Sequence, residues 1–123
     1  MLLNNQSIIS NHSDIDIDFK DYLEMKDSII FKKCKNVKLK INSKINKLIF
    51  WNCNNVILKC CETISGIEIE NCNSFQLIPL NPYLLNVVQC FKSSVELILF
   101  NQSILNKIII VNEDSDIVTS YLP

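Results

Sequence analysis

Hydrophobic and polar positions alternate through most of this chain, and the alternation restarts at a near-constant interval. A small polar residue followed at once by a branched or aromatic one occurs at Asp14-Ile15, Asn36-Val37, Asn55-Val56, Ser74-Phe75, Ser94-Val95 and Asp116-Ile117, at spacings of 22, 19, 19, 20 and 22 residues. After each pair the chain keeps the period of a strand, as in Ile15-Asp16-Ile17-Asp18-Phe19 and Val37-Lys38-Leu39-Lys40-Ile41. The first, third and fifth residues of these runs therefore share one face. Before the pairs lie further β-rich runs such as Ile29-Ile30-Phe31, Leu48-Ile49-Phe50 and Ile67-Glu68-Ile69. Each repeat thus predicts two strands and two corners in about 20 residues.

A unit this small cannot bury its own apolar face, whereas units stacked at about 4.8 Å per coil bury a continuous one. The pattern predicts an all-β fold: a single-stranded, right-handed parallel β-helix of about six coils, each of roughly 20 residues. It would form one domain over residues 1–123, with coils starting near residues 7, 29, 48, 67, 86 and 108. The inward columns read Ile15, Val37, Val56, Phe75, Val95 and Ile117, beside Ile17, Leu39, Leu58, Leu77 and Leu97. The polar residue of each pair forms a corner column whose Asn and Asp side chains bond one another or the turn backbone. Asn also tolerates left-handed backbone, which explains how a solenoid manages with Gly66 as its only glycine.

An antiparallel sandwich would call for Asn-Gly or Asp-Gly hairpin turns, and the sequence has neither. Helix is disfavoured by the Ile, Val and Asn content, and only Phe19 to Lys26 has room for a short helical turn between the first two coils. Residues 87–94 hold one or two residues more than the matching part of other coils, which predicts a bulge and leaves open which way Val88 and Gln89 face.

Composition narrows the function classes. The 16 Asn, 20 Ile and 12 Lys, with no Ala and no Arg, read as AT-rich coding, so position rather than abundance carries the argument. A net charge of −1 lacks the strongly basic footprint of a nucleic-acid binder. Met1-Leu2-Leu3-Asn4-Asn5-Gln6 has no basic or apolar leader region, and no apolar run approaches the 18 or so residues of a membrane span. The expectation is a cytoplasmic protein, without membrane association, whose six Cys stay reduced.

Two segments, Ile49-Phe50-Trp51-Asn52-Cys53-Asn54-Asn55-Val56-Ile57-Leu58 and Ile67-Glu68-Ile69-Glu70-Asn71-Cys72-Asn73-Ser74-Phe75-Gln76-Leu77, resemble the repeat of the C-terminal domain of cyclase-associated protein. A wider group that includes tubulin-binding cofactor C shares this motif and a right-handed β-helix. The stretch from Val111 to Leu122 resembles that domain's last coil, so the likeness spans about residues 7 to 122. The resemblance implies binding of monomeric actin and help with its nucleotide exchange, through the exposed faces and a C-terminal extension that swaps between two subunits. This sequence stops at Pro123, so what that extension supplies to actin binding and dimerisation is expected to be missing. The cofactor C branch would imply a GTPase-activating arginine, whose planar fork a lysine cannot reproduce; with no Arg in the sequence, only a folding-cofactor role without that activity would remain.

Candidate chemistry is sparse. Cys34, Cys53 and Cys72 occupy one repeat position, but sulfurs spaced one per coil along a line do not converge as zinc requires, and core filling is the simpler use of them. His12 precedes Ser13 and Asp14, yet neighbours in one corner do not form the nucleophile, base and orienting group of a triad. The sequence therefore predicts no enzyme, cofactor, metal or catalytic residue. Outward positions remain. Stacking sets Asp16 beside Lys38 and Asp18 beside Lys40, with Ile57, Ile78 and Ile98 on the same face; the other face presents Ile30, Ile49 and Trp51 next to Lys32 and Glu70. An exposed Trp flanked by charge is a binding hot spot, unless a loop or the N-terminal segment covers it. The candidate protein-binding residues are Trp51, Lys32, Glu70, Ile49, Lys38, Lys40 and Lys59, with monomeric actin as the named partner. The competing expectation is a structural or self-assembling module, a homodimer joined through the unpaired strand edges of its terminal coils.

Overall fold

The computed structural model describes residues 6–19, 27–80, 87–100 and 108–122, and its regular elements are all strands. In chain order these are β1 (Gln6–Ser10), β2 (Ser13–Phe19), β3 (Ser28–Lys32), β4 (Lys35–Trp51), β5 (Asn54–Glu70), β6 (Asn73–Pro79), β7 (Val87–Phe91), β8 (Ser94–Leu99), β9 (Ile109–Glu113) and β10 (Asp116–Tyr121). Every pairing is parallel. One ladder runs through β2, the first halves of β4 and β5, then β6, β8 and β10. The other runs through β1, β3, the second halves of β4 and β5, then β7 and β9. Each face thus has six layers joined by about five turns of chain, a parallel β-solenoid close to the six coils expected. The segment that could have held a helical turn, residues 20–26, lies outside the described residues, and Phe19 ends β2.

Register confirms the inward columns. Ile15, Val37, Val56, Phe75, Val95 and Ile117 are successive partners across one ladder, and Ile17, Leu39, Leu58, Leu77 and Leu97 lie beside them. From the other ladder Ile29, Leu48, Ile67 and Val88 point in, with Phe31, Phe50, Ile69 and Cys90 alongside. The rings of Phe31 and Phe50 stack at 5.0 Å, and Phe75 meets Phe50 edge-on at 4.9 Å. Such pairs add about 0.5–1.5 kcal/mol beyond area burial.

The second corner of the repeat is not a break in two of the coils. β4 and β5 each run 17 residues across it, with register shifts between Ile41 and Lys44 and between Ile45 and Lys47. The chain turns by bulging within a continuous ladder. Gly66 sits in this region at φ +94°, where a Cβ would run into the Val87 carbonyl oxygen. Only glycine fits there.

The first corner explains how the remaining turns dispense with glycine. Among the described residues ten non-glycine positions have positive φ. Asn11, Lys33, Asn52, Asn71, Lys92 and Asp114 open the corner in every layer, and Asp14, Asn36, Asn55 and Ser74 close it in the first four. The last two corners are one residue shorter, passing from Lys92 to Val95 and from Asp114 to Ile117, and there the second left-handed position is lost. Asn and Asp dominate because their side chains offset part of the left-handed penalty through local hydrogen bonds. The expected corner ladder is present: Asn36 Nδ2 donates to Asp14 Oδ1 at 3.1 Å, and Asn55 Nδ2 donates to Asn36 Oδ1 at 2.8 Å.

The expected bulge within residues 87–94 is corrected. The offset between paired residues is 19 at Cys60 and Pro79, 21 at Ile67 and Val88, and 20 at Phe75 and Val95. Two residues are therefore added between Pro79 and Val88, and one is removed at the short corner after Lys92. β7 itself pairs with β5 in unbroken register, with Val88 buried and Gln89 exposed.

Candidate functional site

Inside the first corner, Cys34, Cys53 and Cys72 are fully buried and spaced one per coil. Each thiol donates to two backbone carbonyls, as Cys53 Sγ does to Phe31 O at 3.4 Å and Trp51 O at 3.5 Å. Ser93 takes the same position one coil on, donating to Phe91 O at 3.0 Å and accepting from Cys72 N at 3.0 Å. The column thus adds a second donor to strand-end carbonyls, those of Lys32, Trp51, Glu70 and Phe91, that already accept a backbone N–H from the corner. The neighbouring Cys72 thiol, together with burial, pushes the Cys53 thiol well above its ordinary range, while Cys53 in turn holds the Cys72 thiol below its own. Burial alone pushes Cys90 up to about 11. Burial keeps these thiols out of reach of a substrate. Among the described residues no three His, Cys, Asp or Glu side chains are placed to hold a metal ion. His12 is exposed, and Asp14 is engaged with Asn36 rather than with His12.

The outward residues fall on two separate surfaces divided by this corner. On the ladder of β3 and β7, the register sets Lys32, Trp51, Glu70, Phe91 and Glu113 side by side in successive coils. Lys32 Nζ lies 4.9 Å from the Trp51 ring centroid, a cation–π contact. Trp51 is half-buried, and its Nε1 is buried without a hydrogen-bond partner among the described residues. The neighbouring outward column corrects an expectation: Ile30 and Ile49 point away from the core columns yet are only 5 % and 8 % exposed. A partner cannot reach Ile49, so the accessible part of this surface is the Lys32–Trp51–Glu70 column.

On the ladder of β2 and β6, Lys38, Lys40 and Lys59 are exposed, with Asp16 beside Lys38 and Asp18 beside Lys40 in register. Ion pairs form elsewhere, between Lys44 and Glu62 at 3.5 Å and between Lys47 and Glu68 at 3.6 Å. Ile57, Ile78 and Ile98 are half-buried rather than free apolar points. Further along, a shallow groove of about 560 Å³ is lined by Ile57, Gln76, Val95, Glu96 and Val118. Glu96 is already engaged there by Gln76 Nε2 at 3.1 Å and Ser120 Oγ at 2.7 Å.

The structure therefore brings Trp51, Lys32 and Glu70 together, and Lys38, Lys40 and Lys59 together, but not the two groups with each other. Sequence reasoning missed Phe91 and Glu113, which continue the Trp51 column. The signal was available, since Phe91 directly precedes its corner residue Lys92 as Trp51 precedes Asn52. It also missed Lys33 and Lys35, which stand exposed at the corner between the surfaces. Among the described residues no helix is long and apolar enough to cross a membrane. In comparisons with known proteins, a family model described as adenylate cyclase associated (CAP) C terminal matches residues 1–110. No curated protein and no solved structure matches the chain.

Proposed function

The chain belongs to the adenylate cyclase-associated protein C-terminal family, and from that premise we propose that it is a non-enzymatic, cytoplasmic module that binds monomeric actin through its outer surface. The observation that supports this most directly is the Lys32–Trp51–Glu70 column, in which an aromatic ring with a cation 4.9 Å from its centroid stands on a rigid ladder next to a carboxylate. Aromatic residues held by packing and bordered by charge make effective anchors because little side-chain freedom is lost when a partner closes over them. The five described cysteines are free and buried, which suits a reducing compartment. With no arginine in the sequence, an arginine finger for nucleotide hydrolysis is not part of this reading.

The test is titration of the protein into fluorescently labelled monomeric actin, with nucleotide exchange followed in the same sample. Replacing Trp51 or Lys32 by Ala is expected to weaken binding about tenfold or more, the 1.4 kcal/mol or so that separates an anchor from a rim contact. Absence of binding at concentrations on the order of tens of micromolar would overturn the actin reading.

One observation favours a second reading, self-assembly through a terminal coil. Ile109, Val111 and Val118 on the last strands are 60 %, 47 % and 61 % exposed, and an unpaired strand edge flanked by exposed apolar side chains invites pairing. A mass that rises with concentration would support it, and a monomer at every concentration would remove it.

A further inference from the structure

The net charge of −1 conceals a segregation of charge along the solenoid. Between Asp27 and Glu62 the sequence holds eight lysines and no carboxylate side chain. At roughly twenty residues per coil this stretch is one full coil and part of the next, so the lysines ring the molecule over two adjacent levels. The coil on one side carries Asp14, Asp16 and Asp18, and the coil on the other carries Glu62, Glu68 and Glu70.

Part of the ring is neutralised within the chain, since Lys44 pairs with Glu62, Lys47 pairs with Glu68 and Lys32 lies against Trp51. Lys33, Lys35, Lys38 and Lys40 are exposed and form no ion pair among the described residues. Lys59, also exposed, is the register partner of Lys40 in the next coil. Like charges directly opposite one another on a sheet face are destabilising, and although Asp16 and Asp18 are the register partners of Lys38 and Lys40, neither closes an ion pair with them. The fold maintains here a row of lysines richer in charge than the two aspartates beside it.

We propose that this row, from Lys33 at the corner to Lys40 and Lys59 on the sheet, docks an extended acidic segment of a partner protein. The dimensions favour that occupant. Outward residues two apart on a strand are roughly 6.6–6.8 Å apart, the repeat of any extended chain, so carboxylates on alternate residues meet Lys38 and Lys40 in step. The row spans two adjacent coils, whose strands lie about 4.8 Å apart. A nucleic-acid duplex or an anionic bilayer is far wider, and would lay negative charge over Asp14, Asp16 and Asp18 as well. A single nucleic-acid strand is narrow enough, but such strands gain affinity by stacking bases on aromatic rings. The outward residues around the row, Asp16, Asp18 and Ile57, offer none. The inference rests on the protein-binding reading for the class of partner, not on actin.

The experiment measures fluorescence anisotropy of a labelled ten-residue peptide alternating Glu and Ser, titrated with the full chain at low salt, beside the same peptide with Gln in place of Glu. The Glu peptide is expected to bind at least tenfold more tightly than the Gln peptide, and to weaken as salt screens the row. The combined variant K35Q/K38Q/K40Q is expected to weaken binding at least tenfold, whereas Lys92→Gln, which removes a lysine three coils away, leaves it unchanged. Circular dichroism checks that the combined variant keeps its strands; if it does not, Lys38→Gln and Lys40→Gln singly are each expected to weaken binding about threefold. Equal binding of the two peptides, unaltered binding by the lysine variants, or equally tight binding of an oligothymidylate of the same charge would overturn the proposal. The assay contains no actin, so its failure and that of the actin titration are separate results.

Discussion

The middle coils and the end coils of this solenoid use the same columns to different effect. From Phe31 to Leu77 the inward side chains are at most 2 % exposed, each packed between a coil above and a coil below. In the first and last layers the equivalent residues, Ile9, Ile15, Ile17, Ile110 and Ile117, are only partly buried. A residue in a linear stack owes its burial to two interfaces in the middle and to one at an end, so the stability of such a fold is a sum over neighbouring coils. The strands differ in the same sense. β2 turns Asp16 and Asp18 outward, whereas β9 and β10 turn out Ile109, Val111 and Val118. On the ladder of β2 the first coil guards its outer face with charge where the last presents Val118, whereas on the other ladder both ends expose apolar side chains, Ile8 in β1 and Ile109 and Val111 in β9.

The sharpest way to probe that contrast is to remove one inward side chain at a time. Phe50 contacts Phe31 and Phe75 at 5.0 and 4.9 Å, and Phe50→Ala is expected to destabilise by about 3–5 kcal/mol. Ile41→Ala, at a position with 0 % exposure, should follow at about 3 kcal/mol. Ile117→Ala, with one neighbouring coil, should cost about 1 kcal/mol. Urea denaturation of the three variants checks the order. Equal losses at Ile41 and Ile117 would mean that the last coil is packed as firmly as the middle.

Alkaline pH offers a probe that changes no residue. Cys90 is buried in the fifth coil, and its counterpart in the last coil is the exposed Asn112. Burial holds the folded Cys90 thiol at about 11, above its ordinary 9.0. The folded form keeps its proton more tightly than the unfolded form, so this contribution is complete below pH 9 and lost as pH rises through 11. Two pH units correspond to about 2–3 kcal/mol. Stability is expected to stay level from neutral pH to about 9 and then fall, and Cys90→Val should flatten part of that fall.

The columns were legible in the sequence because a strict period of two, restarted about every 20 residues, leaves one register in which all apolar residues face inward. Phe75 and Leu77 fall where Val56 and Leu58 predict them. Which outward residues are accessible was not legible. Alternation gives the direction of Ile49, but its 8 % exposure depends on what lies over the sheet, which no periodicity encodes. The length changes of the fifth coil were visible as a count and not as a place. Two residues added between Pro79 and Val88 and one removed after Lys92 give nearly the same spacing as a single bulge. The lysine row escaped notice for another reason, since a charge total near zero averages over coils that carry opposite signs.

The corners allow the finest version of the comparison. In the longer corners of the first four coils, a second residue takes positive φ, and Asn36 does so at 55°. Its amide also donates to Asp14 and accepts from Asn55, tying three coils together. Asn36→Ala places a Cβ-bearing residue without a compensating side chain in left-handed backbone and removes both bonds, which together should cost about 1–2 kcal/mol. Asn36→Gly should recover part of that loss, because glycine meets the backbone requirement without restoring the bonds. Ser94 opens the sheet after a short corner and is absent from the positive-φ set; Ser94→Ala should change stability by less than about 0.5 kcal/mol. Thermal unfolding of these variants separates the two corner types. If Ser94→Ala were as damaging as Asn36→Ala, the left-handed position would not be what distinguishes them, and the stacked amides alone would have to account for the conformation of the longer corners.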